Sequence, residues 1–245
     1  MNSDRQRAIL EILIKRKNIT VKELAQTLYI SEPSIRRDLI QLENQRLIKR
    51  THGGAMLEEN DVSQIRIPFA IRELECSDEK VAIAKSAAAL VNDGDVVFLD
   101  ATSSAYNIVP FLTFKKNITV ITSGIKSMTK LAECGIRVIS TGGEMLNTNL
   151  SLVGSGACTS IRNYYADICF FSCRGISDDG ELSDITMEEN LVRQEMIARS
   201  KRSYYLCTGN KTGQQFYHRL GHISQTSGII SGSPLPASLE KYRTL

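Results

Sequence analysis

Six short, uninterrupted apolar runs in the second part of the chain constrain its fold more than any other feature. They read DVVFLD, ITVITS, IRVIST, ADICFFSC, RSYYLCT and SGIIS. Runs that lack alternation with polar residues are typical of strands covered on both faces. Segments with helical periodicity separate most of them, such as GIKSMTKLAEC and TMEENLVRQEMIARS. This strand–helix alternation predicts an open, mainly parallel α/β sheet.

Polar residues and glycines follow directly after several of these runs. Parallel strands place their carboxyl ends at one edge of the sheet, where ligands bind. The candidate ligand-binding residues of this kind are Asp100, Thr102, Ser103, Ser104, Thr122, Ser123, Gly142, Gly143 and Lys211. Each alone also fits an ordinary cap, a turn or, for Lys211, a surface charge. Together they favour a phosphorylated or polyhydroxylated small ligand, because backbone N–H groups beside hydroxyls at a helix start bind anions.

The beginning of the chain predicts three short helices. The first has apolar residues at helical spacing, at Ile9, Leu10, Ile12 and Leu13. Thr20, with Glu23 three residues later, forms a capping box that starts the second helix. Ser31 caps the third helix, and Pro33 is tolerated in its first turn. The link of about three residues between the last two helices is typical of a helix-turn-helix.

The third helix has one apolar and one basic face. Ile35, Leu39 and Leu42 recur at intervals of four and three residues and must face inward. The segment RLIKRTHGGAML that follows predicts a hairpin, or wing, with a glycine-bearing turn. Arginines on such a helix reach phosphates or guanine edges in the major groove, while a basic wing lies along the DNA backbone. The candidate DNA-binding residues are Ser31, Ser34, Arg36, Arg37, Gln41, Lys49, Arg50, Thr51 and His52.

The charge distribution supports this interpretation. Residues 1–56 hold 11 Lys and Arg against 6 Asp and Glu, whereas residues 57–245 hold 19 against 21. A basic head on a slightly acidic body favours contact of the head with a polyanion. The alternative is a solvated basic face on a small helical bundle, which an isolated Arg-Arg pair would favour.

The remaining sequence argues against several protein classes. No apolar run approaches the roughly 20 residues of a membrane span, and the charged start MNSDRQRAILEILIKRK is unlike a signal peptide. Six cysteines without a CxxC pair indicate reduced thiols in the cytoplasm. Gly221 interrupts the HxxxH at His218 and His222, so we expect surface histidines there rather than a metal site. No cofactor is expected.

Two segments, RQRAILEIL and VKELAQTLYISEPSIRRDLIQLENQRLIKRTHGGA, closely resemble the N-terminal signature of the DeoR family of bacterial transcription regulators over residues 5–56. The resemblance implies that the recognition helix spans residues 31–43 and that its residues Ser34, Arg36 and Arg37 face DNA. Residues 78–230 resemble that family's effector domain, a relative of the ribose-5-phosphate isomerase and coenzyme A transferase folds. This second resemblance is carried by GDVVFLDATSSA, LTFKKNITVITSG, VISTGGEMLNTNLSLVG, MEENLVRQEMI and GNKTG.

The second resemblance implies a sensor of sugar phosphates. The effector-binding residues that it carries over are Glu188, Glu189, Arg193 and Lys211. Lys211 would pair with phosphate, while Asp100 and Glu188 would hold hydroxyls. The chain departs from the family pattern at Ser123, where asparagine is common, and in HISQTSGIIS, which lacks the family's aspartates. These departures imply a different sugar or a pocket that no longer senses one.

We therefore expect an α+β winged helix-turn-helix head joined to an α/β, mainly parallel, Rossmann-like domain. The predicted boundaries are residues 1–57 for the head, 58–77 for a linker and 78–245 for an effector-binding and oligomerisation domain. The predicted function is DNA-binding repression of a carbohydrate-metabolism operon under control of a phosphorylated sugar. A small head binds tightly only on repeated half-sites, so a homodimer or homotetramer is expected. The alternatives are a sugar-phosphate isomerase and a DNA-binding protein with a vestigial sensor.

Overall fold

The structure, a computed structural model, describes residues 2–57 and 67–244, with the backbone alone for residues 2 and 3. The chain divides into two units, Met1–Glu75 and Cys76–Leu245. The first part of the predicted linker, residues 58–66, lies outside the described residues. Within the part of the chain that is described, no helix combines the length and the apolar character needed to cross a membrane.

The first unit combines helices with a small antiparallel sheet. Its elements are α1 (Asn2–Arg16), β1 (Asn18–Thr20), α2 (Val21–Leu28), α3 (Glu32–Asn44), β2 (Lys49–Thr51), β3 (Gly54–Met56) and α4 (Phe69–Leu74). The strands pair antiparallel in the order β1-β3-β2. This arrangement confirms the predicted winged helix-turn-helix, and β2 and β3 are the wing. The sequence does not predict β1, because a strand of three residues is too short to show an alternating pattern.

Helix α4 lies within the segment that the sequence predicts to be a linker. Its residue Ile71 is buried in the same hydrophobic core as the apolar faces of α1, α2 and α3. Ile67 and Leu74 pack against that core as well. The three residues are spaced at i, i+4 and i+7, the apolar stripe of a short helix, and this spacing could have identified α4 where the sequence analysis expects a linker. Residues 67–75 therefore belong to the first unit.

The second unit contains a six-stranded sheet, a three-stranded antiparallel sheet, a two-stranded hairpin and the surrounding helices. Its elements are α5 (Ser77–Ala89), β4 (Val96–Leu99), α6 (Ser103–Tyr106), α7 (Val109–Leu112), β5 (Thr119–Thr122), α8 (Ile125–Glu133), β6 (Arg137–Ser140), β7 (Glu144–Leu146), β8 (Ser151–Val153), α9 (Gly154–Arg162), β9 (Ala166–Phe171), β10 (Gly175–Ile176), β11 (Glu181–Asp184), α10 (Met187–Ala198), β12 (Ser200–Cys207), β13 (His218–His222), β14 (Gly228–Ser231) and α11 (Ala237–Glu240). Short 3-10 turns at Gly209–Lys211 and Ile223–Gln225 complete it.

The large sheet is parallel throughout, with strand order β14-β12-β9-β4-β5-β6. All six strands are the apolar runs that the sequence predicts. Each is covered on both faces: Val97 and Leu99 of β4 belong to one hydrophobic core, and Phe98 between them belongs to the other. Burial on both faces explains why the runs do not alternate with polar residues.

The chain changes direction across this sheet between β4 and β9. From β4 it proceeds through β5 to β6 on one side, and from β9 through β12 to β14 on the other. The carboxyl ends of β4 and β9 therefore flank the topological switch point, where open α/β sheets bind ligands. Asp100 follows β4 directly, and Ser172 follows β9 directly.

Candidate DNA interface and effector site

The predicted capping box fixes the start of α2. The backbone N–H of Glu23 donates to Thr20 Oγ1 at 3.2 Å, and the backbone N–H of Thr20 donates to Glu23 Oε2 at 3.0 Å. Ser31 occupies the N-cap of α3, but its side chain caps no backbone N–H. Its hydroxyl donates instead to Ser34 Oγ at 3.1 Å.

Helix α3 has the two faces that the sequence predicts. Ile35, Leu39 and Leu42 are at most 1% exposed. The opposite face is solvent-exposed at Arg36, Arg37, Ile40, Gln41 and Asn44. The apolar stripe thus turns the basic side of the helix toward solvent, where the major groove of a duplex can receive it.

A buried ion pair joins α3 to α1. Asp38, 1% exposed, accepts hydrogen bonds from Arg5 through both carboxylate oxygens: Arg5 Nη2 to Oδ1 at 2.7 Å, and Arg5 Nε to Oδ2. The hydrogen bond and the charge of Asp38 raise the pKa of Arg5. The sequence analysis does not identify Asp38, although it falls at i+3 after Ile35 on the inward face. A two-point contact of this kind fixes the rotation of one helix against another.

The exposed arginines of α3 are held by weak local contacts. Arg36 Nη2 lies 2.9 Å from Glu32 Oε2, and Arg37 Nη2 donates to Ser34 Oγ at 3.2 Å. Exposed pairs contribute about 0–1 kcal/mol, so DNA phosphates or base edges can replace these partners. The predicted residue Gln41 is exposed, but its Oε1 accepts a hydrogen bond from Gln6 Nε2 on α1 at 2.5 Å.

The wing is attached to α3 by Glu43. Glu43 Oε1 accepts from the backbone N–H of Arg50 at 3.0 Å, and Glu43 Oε2 lies 3.6 Å from Arg50 Nη1. The whole of β2 is exposed, and His52 follows it in the turn. Gly54 is required, because a Cβ there would lie 2.2 Å from the carbonyl oxygen of Ile19. The structure thus places all nine predicted DNA-binding residues on α3, at its start or on the wing.

A buried charge cluster occupies the switch point of the second unit, centred on Arg193 of α10. Its Nε donates to Asp100 Oδ2 at 3.1 Å. Its Nη1 donates to Asp184 Oδ2 at 2.8 Å and to Asn190 Oδ1 at 3.0 Å. Its Nη2 lies 3.8 Å from Glu189 Oε2. Three carboxylates of the protein itself therefore surround the guanidinium.

The electrostatic balance holds Arg193 in its charged form. Burial alone would lower the pKa of Arg193, but Asp184, Glu189 and Asp100 outweigh it and raise that pKa. Removing one partner of a buried pair leaves an uncompensated charge, which costs about 3–5 kcal/mol. Arg193 and Glu189 line the crevice, and both are already engaged in ion pairs within the protein.

Lys211 joins the same region from the 3-10 turn after β12. Its Nζ donates to Ser172 Oγ and lies 3.5 Å from Ser104 Oγ. The backbone N–H of Ser172 donates to Asp100 Oδ2 at 3.0 Å, which connects Lys211 to the charge cluster. Desolvation of the ammonium lowers the pKa of Lys211. A desolvated cation among hydroxyls has the chemistry to receive a phosphate.

Several predicted site residues have structural partners instead. Thr102 donates from its N–H and its hydroxyl to Asp100 Oδ1, at 3.0 and 2.6 Å, and caps α6. Thr122 Oγ1 accepts from the backbone N–H of Gly124 at 3.0 Å. Gly143 has φ +105°, and a Cβ there would lie 2.3 Å from the carbonyl oxygen of Val153. These residues build the edge of the sheet rather than offer free polar groups.

The structure does not bring Glu188 into this cluster. Glu188 is exposed and lines a groove between α9 and α10, together with Cys158 and Arg162. Successive residues of a helix point about 100° apart, so Glu189 faces the crevice and Glu188 cannot. The expectation that Glu188 holds hydroxyls beside Asp100 therefore does not agree with the geometry.

Four residues of the crevice are missing from the sequence-based set. Ser172 follows a strand as Asp100 does, so the same rule could have found it, whereas nothing in the pattern marks Asp184. Asn149 Nδ2 donates to Glu189 Oε2 at 2.7 Å, which attaches the β7–β8 hairpin to α10. Ser151, 1% exposed, has a buried hydroxyl without a hydrogen-bond partner among the described residues.

The crevice is nearly closed. Its walls include Asp100, Ser123, Ser151 and Arg193, and they enclose about 10 Å³ of space that water can reach. That is about enough for one water molecule, so a sugar phosphate can enter only if the walls move. Ser123 belongs to the wall through its backbone as well, since its carbonyl accepts from the N–H of Leu152 in β8 at 2.7 Å.

Comparison with known proteins agrees with both units. A DeoR-like helix-turn-helix domain matches residues 5–61, and the DeoR C terminal sensor domain matches residues 75–233. The chain is 35% identical over 240 residues to the uncharacterized HTH-type transcriptional regulator YulB of Bacillus subtilis, covering 97% of this chain and 92% of that protein. It is 25% identical over 243 residues to the glycerol-3-phosphate regulon repressor of Escherichia coli, covering 99% and 95%.

One solved structure resembles this chain in fold. The delta subunit of eIF2B from Chaetomium thermophilum has a TM-score of 0.50 at 15% identity, covering 68% of this chain and 62% of that one. At this identity the likeness concerns fold alone. With the two domain matches and the relative at 35% identity, the chain belongs to the DeoR family and is a DNA-binding transcriptional regulator, not an enzyme.

Proposed function

We propose that this regulator represses a carbohydrate-utilisation operon and releases its operator when a phosphorylated sugar or polyol binds at the switch-point crevice. The observation that carries the proposal is the desolvated Lys211 ammonium, set among Ser104, Ser172 and Asp100 at the carboxyl ends of parallel strands. The ligand's phosphate would bind the ammonium of Lys211, and its hydroxyls would donate hydrogen bonds to the carboxylate of Asp100. The name of the Escherichia coli relative, a glycerol-3-phosphate regulon repressor, supports a ligand of this class.

Ligand entry would be coupled to a change in the second unit. The crevice has room for about one water molecule, and its wall includes β8 of the β7–β8 hairpin. A ligand that binds only the open form shifts the protein toward that form, by as much as its affinities for the two forms differ. Two heads held by a homodimer or homotetramer on repeated half-sites would respond to that shift with a change in operator affinity.

The DNA upstream of the protein's own gene provides the test of repression. Full-length protein is mixed with that fragment, and the gel shift is titrated with phosphorylated sugars and polyols and with their unphosphorylated counterparts. We expect one phosphorylated compound to release the DNA and its unphosphorylated form to have no effect. Retention of the complex with every phosphorylated compound would contradict effector control, while absence of any complex at low salt would contradict DNA binding at that site.

Two matched lysine variants distinguish the loss of a ligand contact at the crevice from the loss of a positive charge elsewhere on the protein. Lys211→Gln removes a partly buried ammonium that donates to Ser172, whereas Lys130→Gln removes one that pairs with Glu133 on its own helix. We expect Lys211→Gln to bind DNA and to lose release by the ligand, and Lys130→Gln to behave as the unmodified protein. Equal release of DNA by the ligand in the two variants would show that Lys211 does not belong to the effector site.

The closed crevice also favours a second candidate, a sensor fold that serves oligomerisation alone. The ion pairs that already engage Arg193 and the space of about 10 Å³ are consistent with a site that no longer admits a ligand. A thermal-shift screen distinguishes the candidates, because a ligand at 100 times its Kd stabilises the folded state by about 2.7 kcal/mol. An unchanged melting temperature across all phosphorylated sugars would favour the second candidate.

A further inference from the structure

Tyr29 lies in the turn between α2 and α3 and is 95% exposed, the highest value among the exposed large hydrophobic residues of the described chain. Within residues 2–57 and 67–244, its ring and hydroxyl form no hydrogen bond, ion pair or ring contact. Its neighbour Ile30 packs partly into the core of the first unit. Folding of the first unit therefore gains no burial from the tyrosine side chain.

The backbone at Tyr29 disfavours a side chain of this size. Tyr29 has φ 55° and ψ 42°, in the left-handed region. The N–H of Ile30 donates to the carbonyl of Ala25 at 2.9 Å, the bond that closes a Schellman motif behind a left-handed residue. Glycine or asparagine is usual at such a position, because a Cβ there crowds the following carbonyl. Stability alone thus argues for another residue.

The turn also stands at the DNA-facing end of the head. Tyr29 precedes Ser31, the N-cap of α3, by two residues. Ser31, Ser34 and Arg37 form a chain of side-chain contacts at that end of the helix. In helix-turn-helix proteins the N-terminal residues of the recognition helix contact bases. A tyrosine hydroxyl is among the groups that donate to DNA phosphates.

We infer that Tyr29 is a DNA-backbone contact, with its ring against the sugar-phosphate chain and its hydroxyl donating to a phosphate beside the start of α3. The contact positions the recognition helix and carries no charge. Tyr29 is therefore a positioning residue in addition to the nine residues on α3 and the wing. The inference rests on DNA binding by the head and is independent of the effector.

Three variants in the full-length protein test the contact. Tyr29→Gly removes the ring and suits the left-handed backbone, Tyr29→Asn keeps a polar group without the ring, and Tyr29→Phe removes the hydroxyl alone. We expect Tyr29→Gly to keep or raise the melting temperature while its Kd for an operator fragment rises by about tenfold. Tyr29→Phe should lie between Tyr29→Gly and the unmodified protein. A merely structural residue would not lower affinity while stability rises.

The salt dependence of binding provides the matched control. Replacing an uncharged contact leaves the slope of log K against log salt unchanged, whereas Arg37→Ala reduces its magnitude by about 0.9 for each head bound to DNA. Unchanged operator affinity of Tyr29→Gly would overturn the inference. So would a change in the oligomeric state of DNA-free Tyr29→Gly in analytical ultracentrifugation, because it would assign Tyr29 to a contact between copies of the chain. Failure of the unmodified protein to bind any DNA would instead be a failure of the DNA-binding function itself.

Discussion

Arg5 of the first helix holds the buried carboxylate of Asp38 through two hydrogen bonds. Asp38 lies one residue after Arg37, whose side chain is exposed on the opposite side of α3. The pair therefore sets the rotation of α3, and that rotation decides which way its arginines point. The packing of the head and its DNA contacts are linked at this position.

The pair predicts coupled losses of stability and affinity. Asp38→Ala removes the two hydrogen bonds that the Arg5 guanidinium donates to a charged group, so we expect it to lower the stability of the head by about 2 kcal/mol. Operator affinity should fall as well, because α3 is no longer fixed against α1. Urea unfolding and operator binding measure the two effects. In a double-mutant cycle, Arg5→Ala should cost little once Asp38 is absent; strictly additive effects would mean that the pair contributes nothing.

Removing the Arg193 side chain is expected to cause a large loss of stability in the second unit. Arg193→Ala leaves three carboxylates without the guanidinium that pairs with them, and we expect a loss of about 3–5 kcal/mol in urea unfolding. Arg162→Ala is the control, because Arg162 is half exposed and pairs only with Glu195 among the described carboxylates. A similar small loss for both variants would show that the buried charges are relieved in some other way.

Replacing Lys211 is expected to raise the stability of the folded protein by an amount that depends on pH. Burial disfavours its charged form and lowers its pKa in the folded state, so the unfolded chain binds more protons between that lowered pKa and 10.5. The penalty is full at lower pH and fades as pH rises through this window. Lys211→Met should therefore raise the melting temperature at pH 7, and by less toward pH 10, while the ligand response disappears. A lower melting temperature at pH 7 would indicate that the contacts with Ser104 and Ser172 outweigh desolvation.

The hydrogen bond from Asn149 is expected to stabilise the closed form of the crevice. Its amide connects the β7–β8 hairpin to Glu189, so Asn149→Ala should favour the open form and lower the apparent Kd of the ligand by about three- to tenfold. Isothermal titration with the compound that releases DNA measures the change. Asn163→Ala is the control, because the side-chain amide of Asn163 donates to the carbonyl of Thr159 in the adjacent last turn of α9. Weaker binding by Asn149→Ala would instead identify Asn149 as a ligand contact.

The sequence predicts elements whose signals are local. The continuous apolar runs identify all six strands of the parallel sheet, and the spacing of Ile35, Leu39 and Leu42 identifies the inward face of α3. Position after a strand is enough to find Asp100 and Lys211. These features need only the hydrophobic pattern and the geometry of one element.

What the sequence does not predict depends on contacts between distant segments. Arg5 and Asp38 are 33 residues apart, and Arg193 and Asp100 are 93 residues apart. No spacing rule links such residues, because only the fold brings them together. The distinction between Glu188 and Glu189 is of the same kind: both lie in the first turn of α10, and only packing against β8 and β9 shows which one is buried.

The salt dependence of operator binding tests most directly whether the basic face of α3 meets DNA. We expect Arg36→Ala and Arg37→Ala each to reduce the magnitude of the slope of log K against log salt by about 0.9 for each head bound to DNA, with little change in melting temperature because both side chains are exposed. Arg7→Ala provides the control, since Arg7 forms an exposed pair with Glu11 on α1 that resembles the pair between Arg36 and Glu32. Slopes for the α3 variants equal to those of Arg7→Ala and the unmodified protein would contradict the account.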